Sequence, residues 1–179
     1  MKNNNLIIVG LGSIGANLAQ FLLSCNYKVS VWDKDLSKLK NFAKKNKINY
    51  GILRYFNIAG SSPSGKIGLI NKNSDHLFKN YSIEILKKKP KLKIYGTNYK
   101  TKDGSCIRDF IHVSDIAEIH YLVLEKINKL NISKILNCGY NKGTSVLEVA
   151  KEFERQTSKK ISIIHMKRRK NDLIKIIAS

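Results

Sequence analysis

The N-terminal part of the chain holds the pattern that most constrains its fold, a glycine-rich turn between a strand and a helix. The apolar run Leu6–Val9 ends at Gly10-Leu11-Gly12-Ser13-Ile14-Gly15, and apolar residues then recur at helical spacing over Ile14–Leu22. A second strand is predicted at Lys28–Val31, with Asp33 just beyond it. Strand, glycine turn, helix, strand and acid in this order predict a βαβ unit with two parallel strands.

The glycines of this turn have separate physical roles in binding a dinucleotide. Gly10 permits the tight turn, Gly12 lets the backbone approach a pyrophosphate, and Gly15 lets the helix pack close to the strand. The first N–H groups of the helix and the positive end of its dipole favour phosphate. The predicted cofactor-binding residues are Gly10, Gly12, Ser13, Ile14, Gly15 and Asp33.

The acid Asp33 indicates which dinucleotide the turn would hold. A carboxylate there can accept hydrogen bonds from the adenosine ribose and would repel a 2′-phosphate, which favours NAD over NADP. The neighbouring Lys34 weakens that preference. The alternative is a βαβ core turn that holds no ligand.

The charge of the chain favours anionic partners. Its 179 residues, 42% of them hydrophobic, are enough for a globular domain with a core, and 33 Lys+Arg against 13 Asp+Glu give a net charge of +20. Runs such as Lys87-Lys88-Lys89 make a lysine-rich compositional bias the simplest explanation. We expect no nucleic-acid partner, because no recognised motif or aromatic-basic platform is present.

The cysteines and the apolar runs indicate a cytoplasmic protein without a metal site or a membrane partner. Cys25, Cys106 and Cys138 are widely spaced and form no Cys-x-x-Cys, which favours reduced thiols. No apolar run approaches the length of a membrane span. Leu22–Cys25 faintly resembles a lipoprotein signal, but the polar Asn17 and Gln20 interrupt the apolar run before it.

A second dense stretch, Arg108–Asp115, packs charges, an aromatic residue, a histidine and a helix start together. Ser114 is predicted to begin a helix that ends near Asn128. We expect Arg54 and Asp109 to form structural ion pairs and His112 to be buried and hydrogen-bonded.

The remaining elements form the predicted scaffold. Asp35 can cap a helix over Leu36–Lys47, and Gly51–Gly60 is predicted to run as a strand into a loop. The segment Ser145–Glu148 has the pattern of a capping box at the start of another helix, and Ile161–His165 is predicted to be a short strand.

From about residue 50 onward, an ordered series of motifs resembles the UDP-glucose 4-epimerases of the extended short-chain dehydrogenase family. Its parts are Leu53–Gly60, Pro63–Gly68, Asp75–Leu77, Leu92–Gly96, Asp103–Asp115, Asn137–Gly139 and Arg168–Asp172. The N-terminal Gly-Leu-Gly-x-x-Gly, with the pair Trp32-Asp33, instead resembles 6-phosphogluconate and β-hydroxyacid dehydrogenases. Epimerases usually carry G-x-x-G-x-x-G there.

The resemblance implies a UDP-sugar ligand, NAD as cofactor and a set of ligand residues. It assigns Arg108 and Arg169 to the diphosphate, a role that suits the planar guanidinium fork, and Asp172 to a ribose hydroxyl. It places Asn57 at the diphosphate and sugar, and His76 beside the phosphates. The strand that lines the uracil and an aromatic contact complete the implied set: Lys93, Ile94, Tyr95 and Phe110.

The catalytic pair of that family has no counterpart in this sequence. Its reaction uses a Tyr-x-x-x-Lys pair to remove a hydroxyl proton, and none of the eight tyrosines here has lysine four positions on. We therefore assign no catalytic residue and expect no epimerase turnover by this chain alone. The sequence also passes from the second strand and one helix straight into the strand before Asn57, without the sheet's central strands.

The predicted fold is α/β, a reduced Rossmann-like parallel sheet with a small α+β substrate-binding lobe. Residues 1–50 would be a partial dinucleotide-binding unit and residues 51–179 the UDP-sugar-binding portion, although a joint near Asp35 is also open. Three hypotheses stand: a shortened or recombined epimerase, a catalytically silent UDP-sugar- or NAD(P)-binding protein, and a fragment of a dehydrogenase-like oxidoreductase. Exposed sheet edges would favour a homodimer.

Overall fold

The computed structural model describes residues 5–9, 11–33, 35–46, 48–71 and 74–179. Within these ranges strands and helices alternate over much of the chain, as expected of an α/β fold. The elements are β1 (Asn5–Val9), α1 (Ser13–Ser24), β2 (Lys28–Trp32), α2 (Leu36–Asn46), β3 (Gly51–Tyr55), β4 (Asn57–Ala59), α3 (Leu77–Ile85), β5 (Lys91–Tyr95), β6 (Ile107–His112), α4 (Val113–Leu130), β7 (Lys134–Cys138), β8 (Gly143–Ser145), α5 (Val146–Thr157), β9 (Ser162–Met166) and β10 (Lys175–Ile176).

Parallel pairing dominates the strands, which confirms the predicted fold class. β1 and β2 pair in parallel from Asn5↔Lys28 to Val9↔Trp32, as a βαβ unit requires. β4, β6 and β10 are also parallel, and β8 joins β6 antiparallel. β5 pairs with β9 in parallel, and β3 pairs with β7.

The chain forms two compact units. The first unit is Met1–Ile52 with Leu122–Leu136, and the second unit is Leu53–Tyr121 with Asn137–Ser179. The first unit thus includes a segment far from the N-terminus in sequence. The predicted division into functional portions at residue 50 stays a prediction.

The first unit has a small apolar core beneath its glycine turn. Leu11, Leu39 and Ile52 are buried there, and Val31 and Phe42 pack against them. Helix α2 supplies its apolar face to this core. The predicted cap at its start is confirmed by the contacts of the Asp35 carboxylate, which accepts the N–H groups of residues 37 and 38 at 2.9 and 3.4 Å.

The second unit has a larger core between α3, α5 and β5. Its buried members are Tyr81, Leu92, Ile94, Val149, Ala150 and Ile161. The predicted capping box at the start of α5 is confirmed: Ser145 Oγ accepts the Glu148 N–H at 3.0 Å, and the Glu148 carboxylate accepts the Ser145 N–H at 2.7 Å.

Asp109 corrects one prediction. Its side chain is fully buried (0% exposed) and accepts the N–H groups of Tyr140, Asn141 and Ala178 at 2.9–3.1 Å. In the part of the chain that the structure describes, no ion pair joins Asp109 to Arg54, whose side chain is exposed. Three backbone donors satisfy this buried carboxylate, so that it needs no arginine partner.

His112 is hydrogen-bonded as predicted, but only half-buried. Its Nδ1 accepts the Ser114 N–H at 3.2 Å, and its ring lies against Gly60.

Across the described helices, none combines the length and the apolar character needed to cross a bilayer.

Candidate functional site

A cavity of about 550 Å³ in the second unit brings together the predicted substrate-binding side chains. Every one of them lines it except Ile94. They are Asn57, His76, Lys93, Tyr95, Arg108, Phe110, Arg169 and Asp172. Residues from separate segments of the chain therefore meet at one place, as the resemblance implies.

Strand alternation explains why Ile94 stands apart. Successive side chains of β5 point to opposite faces, so Leu92 and Ile94 enter the core while Lys91, Lys93 and Tyr95 face the cavity. The Ile94 side chain is 1% exposed. Only its backbone is available to a ligand, which agrees with a role through main-chain contacts.

Two neighbouring strands position the floor of the cavity. Asn57 on β4 lies opposite Phe110 on β6 in the parallel ladder. The Phe110 ring meets Phe78 edge-on, with 5.2 Å between centroids, and this contact fixes the ring's orientation. His76 stands at the start of α3, and its Nε2 is hydrogen-bonded to the Ile58 carbonyl oxygen.

Arg108 and Asp172 form a largely buried ion pair beside the cavity. Arg108 is 8% exposed, one end of its guanidinium contacts Asp172 Oδ1, and the other donates to the Ile107 carbonyl oxygen at 2.7 Å. Tyr99 donates its hydroxyl to Asp172 Oδ2 at 3.0 Å. Both charged groups are thus held in place before any ligand arrives.

Arg169 is held by an aromatic ring rather than by a carboxylate. Its guanidinium carbon lies 4.3 Å from the centroid of the Tyr95 ring. A guanidinium held over a ring keeps the N–H groups at its own edge available. These groups can form paired hydrogen bonds to phosphate oxygens. Lys91 and Lys93 add further positive charge to the same lining.

Several lining residues escaped the sequence reasoning. Two spacings could have found some of them: Asn80 and Glu84 follow His76 at four-residue helical intervals, and Lys91 alternates with Lys93 on β5. The missed residues are Asp75, Leu77, Asn80, Tyr81, Ile83, Glu84, Lys91, Cys106 and Val146.

Two of these missed residues are unsuited to titrate near neutral pH. Burial raises the pKa of Tyr81 to about 12, and its hydroxyl donates to the Lys93 carbonyl oxygen at 3.1 Å. Burial also raises the pKa of the Cys106 thiol, which disfavours the reactive thiolate. Tyr81 is also a member of the second unit's core, and Cys106 is buried beside the cavity.

The glycine turn of the first unit has features that fit a dinucleotide. Helix α1 begins behind Gly12, which caps it without a side-chain hydrogen bond, and a Cβ at Gly12 would meet nothing within 4 Å. Asp33 accepts the Leu11 N–H at 2.6 Å and the Asp35 N–H at 2.8 Å, so its carboxylate lies beside the turn. Space, an open helix start and a nearby acid suit a phosphate and its ribose.

The other predicted cofactor-binding residues of this turn have no described contact that supports their assignment. Gly10 lies outside the described residues, as does Lys34, and nothing is described of the Ser13 side chain. Ile14 is 82% exposed on α1, and Gly15 lies in the same helix. Their assignment to a cofactor stays a prediction.

Family comparisons agree with both halves of this description. The NAD dependent epimerase/dehydratase family matches residues 36–139, and the NAD binding domain of 6-phosphogluconate dehydrogenase matches residues 5–64. The first match begins directly after Asp35, while the second extends past it. The position of any joint between the two patterns therefore remains a prediction.

Individual relatives are UDP-glucose 4-epimerases. The enzyme of Azospirillum brasilense is 41% identical over 127 residues, which cover 71% of this chain and 36% of the relative. That of Halalkalibacterium halodurans is 40% identical over 132 residues, covering 74% of this chain and 40% of the relative. The chain therefore spans well under half the length of these relatives.

Solved structures show the same fold. The UDP-glucose 4-epimerase of Stenotrophomonas maltophila, with bound NAD and formylated UDP-arabinopyranose, superposes with a TM-score of 0.73 at 31% identity, covering 79% of this chain and 43% of that one. The Bifidobacterium longum enzyme, in complex with NAD+ and UDP, gives 0.67 at 28% identity, covering 80% and 44%.

Proposed function

Because this chain belongs to the NAD dependent epimerase/dehydratase family, we propose that the cavity beside Arg108 binds a UDP-sugar. One observation carries the proposal: two arginines, an acid, an asparagine and two aromatic side chains from separate segments converge on one cavity. These are the groups that a diphosphate, a ribose and flat rings require.

The proposed binding mode assigns each part of the ligand to a part of the cavity. Arg108 and Arg169 bind the diphosphate oxygens, and Asp172 accepts a hydrogen bond from a ribose hydroxyl. The uracil lies along the main chain of β5 near Tyr95. The sugar lies toward Asn57, and His76 stands beside the phosphates. The solved relative that contains UDP supports this choice of ligand class.

We propose NAD as the ligand of the first unit. When bound, NAD supplies the hydride acceptor that epimerisation at a sugar carbon needs. This chain's own contribution would be to hold NAD: the start of α1 and the Gly12 backbone would bind the pyrophosphate, and Asp33 would accept hydrogen bonds from the ribose.

The reaction of the family is the interconversion of UDP-glucose and UDP-galactose. We do not propose that this chain catalyses it alone. The chain covers about two-fifths or less of those relatives, and no tyrosine in it has lysine four positions on. We propose a binding role without turnover by these 179 residues, in nucleotide-sugar and galactose metabolism. Three free cysteines, two of them buried, favour a cytoplasmic location.

Calorimetric titration with UDP-glucose tests the binding proposal. We expect the wild-type chain to bind, and Arg108→Ala to bind at least roughly 30-fold more weakly, because a charge-assisted contact to phosphate is lost. Arg169→Ala should also weaken binding. It is the safer variant, since no buried carboxylate loses its partner.

The matched control is Arg155→Ala, which removes an exposed arginine paired with Glu152 on α5, away from the cavity. Its affinity should equal that of the wild type. The proposal is wrong when the folded wild-type chain shows no heat with UDP-glucose, or when both Arg108→Ala and Arg169→Ala bind as the wild type does.

A further inference from the structure

A buried tyrosine that the proposed function does not use contacts the acid assigned to the ribose. Tyr99 is only 4% exposed, does not line the cavity, and donates its hydroxyl to Asp172 Oδ2 at 3.0 Å. Asp172 itself lines the cavity. The tyrosine therefore acts on the cavity through the carboxylate rather than on a ligand.

The ring of Tyr99 is fixed by contacts that do not involve its hydroxyl. The Arg168 guanidinium carbon lies 4.2 Å from the ring centroid. Gly96 adopts φ +80, and a Cβ there would lie 2.4 Å from the ring, so the glycine makes room for it. Phenylalanine would keep all of these contacts, and the contribution of the hydroxyl can therefore be measured separately.

The loop that carries Tyr99 is itself anchored to the scaffold. The Tyr99 N–H donates to the Gly104 carbonyl oxygen at 3.0 Å. The loop between these two residues contains Asp103, whose carboxylate makes three further hydrogen bonds. That carboxylate accepts the N–H and the hydroxyl of Ser105 at 2.9 and 2.8 Å and is hydrogen-bonded to the Ser145 hydroxyl at the start of α5. The loop that carries Tyr99 is thus hydrogen-bonded to the start of α5.

The two oxygens of Asp172 have different partners. Oδ1 pairs with the Arg108 guanidinium and Oδ2 accepts from Tyr99. One charged partner alone would let the carboxylate turn and share both oxygens with the arginine fork, whereas a second bond fixes its plane. A carboxylate accepts roughly four hydrogen bonds in total, which leaves capacity for a hydroxyl donor from the cavity.

The protonation of Tyr99 suits a permanent donor. Burial raises the pKa of its hydroxyl, and the hydrogen bond to the Asp172 carboxylate raises it further. Its proton is therefore retained across the physiological range and is directed at Oδ2.

From this geometry we propose that Tyr99 is a positioning residue, whose hydroxyl holds Asp172 in the orientation that selects ribonucleotides over nucleotides lacking the ribose hydroxyls. The inference rests on the proposed UDP-sugar site and adds the source of its sugar selectivity. Loss of the Tyr99 hydroxyl should then weaken recognition of the ribose hydroxyls specifically. Loss of a purely structural hydrogen bond would weaken the binding of every nucleotide equally.

Calorimetry with UDP and with 2′,3′-dideoxy-UDP separates these cases. We expect the wild type to prefer UDP by roughly tenfold, the value of one hydrogen bond to a charged acceptor. Tyr99→Phe should weaken UDP binding roughly fivefold to tenfold and change dideoxy-UDP binding by less than about twofold, so that the preference disappears. In an Asp172→Asn background, Tyr99→Phe should have little additional effect on UDP.

Tyr140→Phe is the matched control. It removes another tyrosine hydroxyl that donates to an aspartate, Asp115, away from the cavity lining. It should leave both affinities unchanged. An equal loss for both nucleotides in Tyr99→Phe, or no loss for either, overturns the positioning role while leaving the UDP site intact. Wild-type protein that binds neither nucleotide overturns the proposed function and the inference with it.

Discussion

The two compact units build their candidate sites in opposite ways. In the first unit one continuous segment supplies the glycine turn, the helix start and the acid, and hydrogen bonds from Leu11 and Asp35 to Asp33 close it locally. In the second unit the cavity depends on partners distant in sequence, such as Arg108 with Asp172. A local motif can be recognised from spacing alone, whereas a distributed site depends on the packing that brings its parts together.

Each unit also contains a buried aspartate, and the two differ in how many backbone N–H groups they accept. Asp109 in the second unit accepts three backbone N–H groups from residues 140, 141 and 178, while Asp33 accepts those of residues 11 and 35. The second unit should therefore be more sensitive to the loss of a single carboxylate. The following predictions test this difference in order of expected size.

Removing Asp109 should have the largest effect on stability. Asp109→Ala removes a fully buried carboxylate that accepts three N–H groups, and it should lower the free energy of unfolding by about 4 kcal/mol. Asp33→Ala should cost about 2 kcal/mol, because two such groups lose their acceptor. Denaturant titration measures both.

The control Asp115→Ala, which loses a tyrosine hydroxyl contact, should cost less than about 1 kcal/mol. An equal cost for Asp109→Ala and Asp33→Ala would remove the distinction between the units.

Two glycines provide a second contrast. Gly96→Ala should cost about 2 kcal/mol or more, because φ is positive and the new Cβ would strike the Tyr99 ring. Gly12→Ala should cost no more than about 0.5 kcal/mol, since Gly12 has φ −70 and open space around a Cβ. Thermal unfolding of both variants checks this. A large loss in Gly12→Ala would show that this glycine is needed for folding rather than for a ligand.

The smallest predicted effect concerns acid. Burial raises the pKa of Asp103, but hydrogen bonds from Ser145 and Ser105 lower it by more, so its net pKa lies below the usual 3.8. A carboxylate with a lowered pKa in the folded state stabilises the fold above its unfolded pKa, and that stability disappears as the pH falls through the folded value.

We therefore expect Asp103→Asn to be less stable than the wild type by about 1 kcal/mol near pH 6, with the difference shrinking below about pH 4. Urea titrations at both pH values measure it. The first-unit counterpart is Asp35, whose pKa is lowered by the backbone N–H groups of Ser37 and Lys38 at an exposed helix start. Asp35→Asn should show a shallower pH dependence. A difference between Asp103→Asn and wild type that stays constant with pH would contradict the assigned hydrogen bonds.

The same contrast explains how far the sequence could be interpreted. The βαβ unit, the Asp35 cap and the Ser145 capping box are local patterns, and each is found where it was predicted. One wrong prediction, an ion pair for Asp109, concerned a choice of partner that only the fold decides.

In the second unit, resemblance rather than spacing identified residues that share a cavity. Their contacts with one another, including the pairing of Arg108 with Asp172 and the hydroxyl of Tyr99 on that acid, could not be derived from the chain. Such contacts join positions far apart in sequence, and no periodicity encodes them. Strand alternation on β5 could have found one missed residue, because period two alone separates Lys91 and Lys93 from Leu92 and Ile94.

The central claim, that the two units carry separate ligand sites of different construction, is tested most directly by a crossed pair of titrations. UDP and NAD are titrated separately into the wild type, Arg108→Ala and Gly12→Val. We expect Arg108→Ala to lose UDP affinity and keep NAD affinity, and Gly12→Val to do the reverse, because each change touches one unit only. UDP affinity that survives Arg108→Ala, or a variant that loses both ligands equally while still folded, would contradict the account.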